Sequence, residues 1–493
     1  LYGLIVGLVL LPSLAAPALA APVIDLLFVP SPDSSLDWIS GVVEGATPSD
    51  WAVVVYIRVD GSWWGPKPTW TEPLTPIRAD GFWNATFVTG GNDRTADRFA
   101  VYLIPRGALG EGMPPSLSGA ASLPSVLAGY ARDESSRSTP ELRTVPPILR
   151  NGTDLTGLCV GPYLNGEQPG QLLSEAVLRE RLAVVADHAA WIRSYGVDGG
   201  LERFGRIAHD LGRRAAVGAW LSKDPVQNRR ALEELASIGK NGDADLLIVG
   251  SESLLRGDVS ERDLVTYLRW VRREVPGMPV GTADAYTVFL DHPSLVEASD
   301  LLMVHIYPFW DGVGIGDAAN RTVGAWEGVA GIAKDRPVVI AETGWPDAGD
   351  PSGSAVPSST NATRYLNETT ALLHARGIPY FYFAAFDEEW KSEPGGVGPH
   401  WGIWDGNLGL KTGRLPLPGA VVPFPGGTAL PKDANGDGLF EDVNGNRRND
   451  FADVTLYFGR MSWIPTNEPL AAFDYNANGR IDFADVVTLF RSL

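Results

Sequence analysis

Cysteine is all but missing: Cys159 is the one thiol among 493 residues. A single cysteine excludes any disulfide within the chain, so stability has to come from buried cores and bound ions. Basic residues are also scarce, with 40 Lys and Arg against 59 Asp and Glu and a net charge of −19. That excess of anions argues against nucleic acid as a partner. Beyond residue 20, no segment is long and apolar enough to span a bilayer.

The first twenty residues are small and apolar and end in Ala18-Leu19-Ala20, ahead of Ala21-Pro22. They read as a signal peptide with an A-x-A cleavage site, or else as an uncleaved anchor. Both readings predict a protein that is secreted or held at the cell surface.

Tryptophan, by contrast, is plentiful, with 16 residues. Indole faces fill cores, and they also offer flat apolar platforms for sugar rings. The length exceeds what one core holds, so several domains are expected. Residues 22–110 carry β-type runs such as 51–59, 81–87 and 98–104, punctuated by Asp-Gly and Gly-Gly turns. They predict a small all-β sandwich. Its Trp63, Trp64, Trp70 and Trp83 suit either a sugar platform or the packing of a spacer module. Residues 111–150, rich in Pro, Ser, Gly and Ala, read as a linker with one short helix. From 151 to 415, eight apolar runs (155–163, 190–195, 214–221, 244–251, 279–285, 300–307, 337–342 and 379–386) alternate with helical patterns (175–189, 227–238, 261–273, 318–333 and 360–375). This is the signature of an α/β fold, a (β/α)8 TIM barrel. Residues 416–431 form a second linker, and 432–493 a final small helical domain.

Two of the barrel runs end in a carboxylate. Val338-Val339-Ile340-Ala341 leads into Glu342, followed by Thr343-Gly344-Trp345-Pro346. Leu246-Leu247-Ile248-Val249-Gly250-Ser251 leads into Glu252. Strands of such a barrel point their C-terminal ends at the active site. Two glutamates there are what two-carboxylate glycoside hydrolysis requires.

The last domain contains a repeat. Asp442, Asn444, Asn446, Asp450 and Asp453 match Asp474, Asn476, Asn478, Asp482 and Asp485, at positions 1, 3, 5, 9 and 12 of two loops. Alternating oxygen donors of this kind wrap a hard cation such as Ca²⁺. A further acidic run, 433–441, precedes the first loop. The pair resembles a dockerin module, which implies two structural Ca²⁺ ions and a cohesin-like protein partner.

The barrel resembles the family 17 glycoside hydrolases, the β-1,3-glucanases and glucanosyltransferases. Seven stretches carry that resemblance in order. They are Gly157-Leu158-Cys159-Val160-Gly161-Pro162-Tyr163, Ile192-Arg193-Ser194-Tyr195-Gly196, Val217-Gly218-Ala219-Trp220-Leu221, Val249-Gly250-Ser251-Glu252 with Leu255-Arg256-Gly257, His305-Ile306-Tyr307-Pro308, Ala341 to Pro346, and Ala385 to Lys391. The resemblance implies a retaining mechanism on a β-glucan, most simply β-1,3-linked. Glu342 is then the nucleophile, Glu252 the general acid/base, and no metal takes part in catalysis. It also implies that Tyr307 orients Glu342, and that Arg193, Ser251, Trp220, Trp345, Glu388 and Lys391 serve substrate binding, with Trp390 and Trp401 as further platforms. Ser251 departs from the family, which usually has Asn before the acid/base. A further Glu that plant-type members carry beyond Lys391 is expected to be absent near Gly398-Pro399-His400-Trp401-Gly402-Ile403. A glucanosyltransferase and a non-catalytic carbohydrate-binding cell-surface protein are the alternatives.

Overall fold

The computed structural model describes residues 21–107, 113–138, 156–186, 188–411, 424–428, 431–432, 439–468, 470–476, 478 and 480–493. The expected signal peptide, the acidic residues 433–438 and most of the second linker lie outside the described residues. The chain divides into two compact units, 1–138 and 139–493.

In the first unit, nine strands build two antiparallel sheets. The strands are β1 (Val23–Phe28), β2 (Trp38–Glu44), β3 (Trp51–Val59), β4 (Ser62–Lys67), β5 (Thr75–Pro76), β6 (Phe82–Thr86), β7 (Arg98–Pro105), β8 (Leu117–Ala120) and β9 (Arg132–Ser136). One sheet runs β1-β2-β6; the other runs β8-β4-β3-β7-β9, with β5 beside β3. Side chains alternate faces along a strand. Val53, Val55 and Ile57 of β3 therefore share a core with Ile24, Ile39 and Trp83 of the other sheet. Val54 and Tyr56 face the opposite way and would be open to water without a cover. Leu117, Leu123, Leu127 and Tyr130 supply that cover.

This corrects the expected linker over 111–150. Its described part, 113–138, belongs to the sandwich, with β8 paired to β4 and β9 to β7. Scattered leucines do the covering, so the stretch shows no period to read. Of the four tryptophans considered for a platform, Trp63 and Trp83 are core residues, and Trp64 and Trp70 are exposed.

In the second unit, eight parallel strands close into a barrel in sequence order. They are β10 (Thr156–Cys159), β11 (Trp191–Arg193), β12 (Arg214–Ala219), β13 (Leu246–Ser251), β14 (Val280–Ala285), β15 (Leu302–His305), β16 (Val338–Thr343) and β17 (Tyr380–Tyr382). The strands are buried on both faces, which is why they read as unbroken apolar runs. Around them lie α1 (Glu175–Ala186), α2 (Phe204–Asp210), α3 (Pro225–Asn241), α4 (Glu261–Glu274), α5 (Tyr286–Asp291), α6 (Pro293–Ala298), α7 (Ile315–Ala330) and α8 (Ser359–Ala375). α3 shows how local chemistry sets the ends. The Asp224 side chain accepts the N–H groups of Val226 and Gln227, Pro225 occupies the first turn, and Gly242 at φ 77° stops the helix. The short α2, α5 and α6 are not visible in the sequence pattern, because two turns carry too little periodicity.

The C-terminal segment forms α9 (Phe451–Phe458), α10 (Ile464–Asn467), α11 (Leu470–Phe473) and α12 (Phe483–Arg491) around Phe424, Val443, Tyr457, Phe473 and Leu489. Capping boxes open α9 and α12, formed by Asp450 with Asp453 and by Asp482 with Asp485. The helix N-cap is thus the ninth loop residue, while the twelfth sits one turn inside.

Candidate active site

At the C-terminal ends of the strands lies a cleft of about 1180 Å³. Its lining comes from every barrel strand or following loop except those of β14. Glu342, near the end of β16, is 5 % exposed. Its carboxylate accepts hydrogen bonds from Arg193 Nη1 at 2.7 Å and from the Tyr307 hydroxyl at 2.7 Å. Glu252, directly after β13, is half-buried. His305, the last residue of β15, bridges the two: Nδ1 lies 2.8 Å from Glu252 Oε1 and Nε2 lies 3.2 Å from Glu342 Oε1. One carboxylate oxygen of each glutamate and a ring nitrogen of His305 all fall within 4.8 Å of one another. Such a spacing suits a retaining pair, whose carboxyl groups stand about 5–5.5 Å apart.

The two carboxylates have unlike surroundings. Burial alone would push the Glu342 carboxyl up. His305 and Arg193, the Tyr307 hydroxyl and Lys391 more than offset this and hold it below the ordinary carboxylate range. A carboxyl kept ionised in a buried site suits a nucleophile. The Tyr307 hydroxyl is pushed well above its usual value, by burial first and then by the Glu342 charge, so it stays a donor. His305 belongs to one of the seven stretches, but the sequence assigns it no role. It stands two residues before Tyr307, and the period of two that places both on one face is the available signal. The cluster could hold a metal by ligand type. Its groups are already paired with one another and with Arg193, so it is balanced from within.

The expected substrate-binding residues separate into two groups. Trp220, Ser251, Tyr307, Glu388 and Lys391 line the cleft, as do Trp390 and Trp401. Trp220 is 48 % exposed. Glu388 and Lys391 form a close ion pair, 2.5 Å, beneath the cleft surface. Ser251 Oγ accepts from Arg193 Nη2 at 3.1 Å. Trp345 and Arg193 depart from the expectation. Trp345 is 1 % exposed, donates to the Val356 carbonyl, and packs on Phe309 and Tyr365, so it belongs to the core. Arg193 is fully buried under the carboxylates and touches Glu342, Ser251 and the Ala341 carbonyl. It positions catalytic groups and has no open path to a sugar.

One acidic residue of the cleft is absent from the sequence-based set. Glu393 lines the cleft and accepts from Trp401 Nε1 at 3.0 Å. Burial, reinforced by the Glu388 and Glu342 charges, pushes its carboxyl up against the pull of Lys391. Glu393 lies only two residues past Lys391, on a loop with no periodicity to reveal its direction.

In the C-terminal segment the two loops repeat one hydrogen-bond pattern. The Asn446 N–H reaches Asp442 Oδ1 and Asn444 Oδ1, and the Asn444 N–H reaches Asp453 Oδ1. Likewise the Asn478 N–H reaches Asp474 Oδ1 and Asn476 Oδ1, and the Asn476 N–H reaches Asp485 Oδ1. Asp453 and Asp485 are completely buried, and Asp442 nearly so. Asp482 is partly covered and meets Arg480.

Residues 157–402 match the BtgE/BtgC glycoside hydrolase domain. A glucan 1,3-beta-glucosidase of Arthroderma benhamiae is 29 % identical over 259 residues, covering 48 % of this chain and 83 % of that protein. A glucan 1,3-beta-glucosidase of Candida albicans is 27 % identical over 259 residues, covering 47 % and 83 %. The crystal structure of a glycoside hydrolase family 17 beta-1,3-glucanosyltransferase from Rhizomucor miehei covers 53 % of this chain and 97 % of its own, at 29 % identity and a TM-score of 0.48. With two carboxylates at the mouth of an eight-stranded parallel barrel, the barrel is similar along its length to the BtgE/BtgC glycoside hydrolase domain and to glucan 1,3-beta-glucosidases.

Proposed function

We propose that this protein hydrolyses β-1,3-glucan with retention of configuration. The observation that carries the reading is the Glu252–His305–Glu342 cluster, with carboxylate oxygens within 4.8 Å at the mouth of a sugar-sized cleft. The relatives' activity on 1,3-β-glucan supplies the linkage. In the first displacement a Glu342 oxygen attacks the anomeric carbon. Glu252 gives its proton to the glycosidic oxygen as the carbon–oxygen bond breaks. Covalent bonding removes the Glu342 charge. Glu252, now a carboxylate, takes a proton from water, whose oxygen displaces Glu342 and restores the starting state. Tyr307 and Arg193 hold Glu342 in line throughout. Trp220 and Trp390 present faces for sugar stacking, with the buried Trp401 behind them, and Glu388, Lys391 and Glu393 can hydrogen-bond hydroxyls.

A 2-deoxy-2-fluoro laminaribiosyl fluoride tests this. The reagent should leave a glycosyl group on Glu342, located by peptide mass spectrometry. NMR of early laminarin digests should show the β-anomer first. Inverted product would end the reading. Longer oligosaccharides appearing at high substrate concentration would reassign the protein as a glucanosyltransferase.

We also propose that the C-terminal segment is a dockerin-like module holding two Ca²⁺ ions, with Asp442, Asn444, Asn446 and Asp453 in one loop. Asp474, Asn476, Asn478, Asp482 and Asp485 make the other. Buried carboxylates gathered in two loops of the same design favour this reading. A cohesin-like protein is the proposed partner, and a secreted or cell-surface location follows from residues 1–20. A pull-down against cohesin-type domains, with and without chelator, tests the partner.

A further inference from the structure

The chain leaves β13 through an unusual turn. Gly250 has φ 78°, and a Cβ there would meet Ser253 Oγ and Leu221 Cδ1. Glu252 itself has φ 52°, the left-handed region that residues with a Cβ rarely enter. The pairing with β14 loses its register at the same place, between Ile248 and Ser251. Strain of this kind persists only where surrounding contacts hold it.

One side chain gathers those contacts. Arg256 Nη1 donates to the Ser251 carbonyl at 2.5 Å, immediately before Glu252. Its Nη2 donates to the Leu221 carbonyl at 3.3 Å, just past the end of the neighbouring strand. Its Nε is fixed by Asp258 at 2.8 Å, and its own N–H donates to the Glu252 carbonyl at 3.0 Å. The guanidinium carbon lies 4.0 Å from the centre of the Trp220 ring. Trp220 therefore has one face on Arg256, while the residue remains 48 % exposed to the cleft.

We propose that Arg256 is a positioning residue for the general acid, coupling the Trp220 platform to the orientation of Glu252. A sugar stacked on Trp220 presses the ring onto the guanidinium. The guanidinium in turn holds the Ser251 carbonyl before Glu252 and the Leu221 carbonyl on the neighbouring strand. Binding energy from a remote sugar is thereby spent on orienting the proton donor, so it appears in kcat as well as in KM. A planar fork does this, whereas a lysine offers one point of contact. The inference rests on the retaining mechanism proposed above.

The test separates proton donation from platform support. Wild type, Arg256→Met, Arg256→Lys and Trp220→Ala are compared on laminari-oligosaccharides and on a 2,4-dinitrophenyl laminaribioside, whose leaving group departs without acid help. The Arg256 variants should lose about 10²-fold in kcat on oligosaccharides, the scale of a general acid's contribution. They should lose far less in kcat/KM on the dinitrophenyl substrate, which reads the first displacement alone and also reports that the barrel is folded. Trp220→Ala should raise KM for longer oligosaccharides and lower their kcat, with a smaller loss of kcat/KM on the dinitrophenyl substrate. Arg256 variants that lose both activities equally overturn the inference, as does a Trp220→Ala change confined to KM. If Arg256→Met does not fold, the Arg256→Lys comparison decides. Wild-type protein inert on both substrates would instead overturn the proposed function.

Discussion

Two clusters of buried carboxylates, one at the barrel mouth and one in the C-terminal loops, have opposite surroundings. In the barrel mouth Glu342 faces charges from the protein itself: Arg193 at 2.7 Å, His305 at 3.2 Å, and Lys391 further off. In the C-terminal loops, Asp453 and Asp485 accept backbone N–H groups, and among the described residues no lysine or arginine side chain meets them. An isolated buried anion is costly, and the remedies are a fixed cation or a bound one. The fixed cations of the barrel leave a carboxylate oxygen ready to attack carbon. A bound ion would engage those oxygens. The same chemical group thus suits reaction in one region and cohesion in the other.

The largest effect should come from removing the barrel carboxylates. Glu342→Gln keeps the volume and loses the nucleophile. Loss of kcat on laminarin should be on the order of 10⁴-fold or more, as for other groups that act at the reacting atom. Circular dichroism should show a folded protein. Calcium should not restore turnover. Substantial residual activity would mean that the barrel cluster, like the loops, is there for cohesion.

Much of this contrast is legible in the sequence. Strand-end Glu252 and Glu342 stand out because a charge after an unbroken apolar run has few bland explanations. The loops stand out because their spacing occurs twice. Other parts are hidden for physical reasons. Trp345 lies three residues past Glu342, beyond the strand, where no period shows which way a side chain turns. Packing on Tyr365 and Phe309 turns it inward. A histidine in an apolar strand gives no sign of which carboxylates will converge on it, so His305 gains its role only in three dimensions. Residues 113–138 resemble a linker because isolated leucines, not a repeating pattern, cover the outer face of β3.

The second effect concerns the loops. A ligand bound only to the folded state at a hundred times its dissociation constant stabilises that state by about 2.7 kcal/mol. Chelation of the full chain should therefore lower the melting temperature of one transition, and Asp453→Ala with Asp485→Ala should abolish the response to added calcium. Laminarin hydrolysis below that transition should persist in chelator. Calorimetry and a reducing-sugar assay on the same samples check both halves. A melting profile indifferent to calcium would remove the contrast between fixed and bound cations.

The smallest effect sharpens the contrast most, because it changes charge at the barrel mouth while leaving both glutamates in place. Burial would raise the Glu342 carboxyl, and the cations around it hold it below the ordinary value of about 4.3. The anion is the reactive form, so activity should persist as pH falls and fail only when Glu342 takes up a proton. His305→Asn retains polar contacts but cannot carry charge. With one cation gone, the Glu342 pKa rises, and the acid limb of kcat/KM moves toward neutral pH. Arg193, the Tyr307 hydroxyl and Lys391 remain, so the limb should shift without disappearing. At neutral pH the loss should be modest compared with Glu342→Gln. Calcium should have no influence on the limb. A pH profile identical to wild type would show that His305 contributes no charge to the site, leaving Arg193 as the cation that keeps the carboxylate ionised.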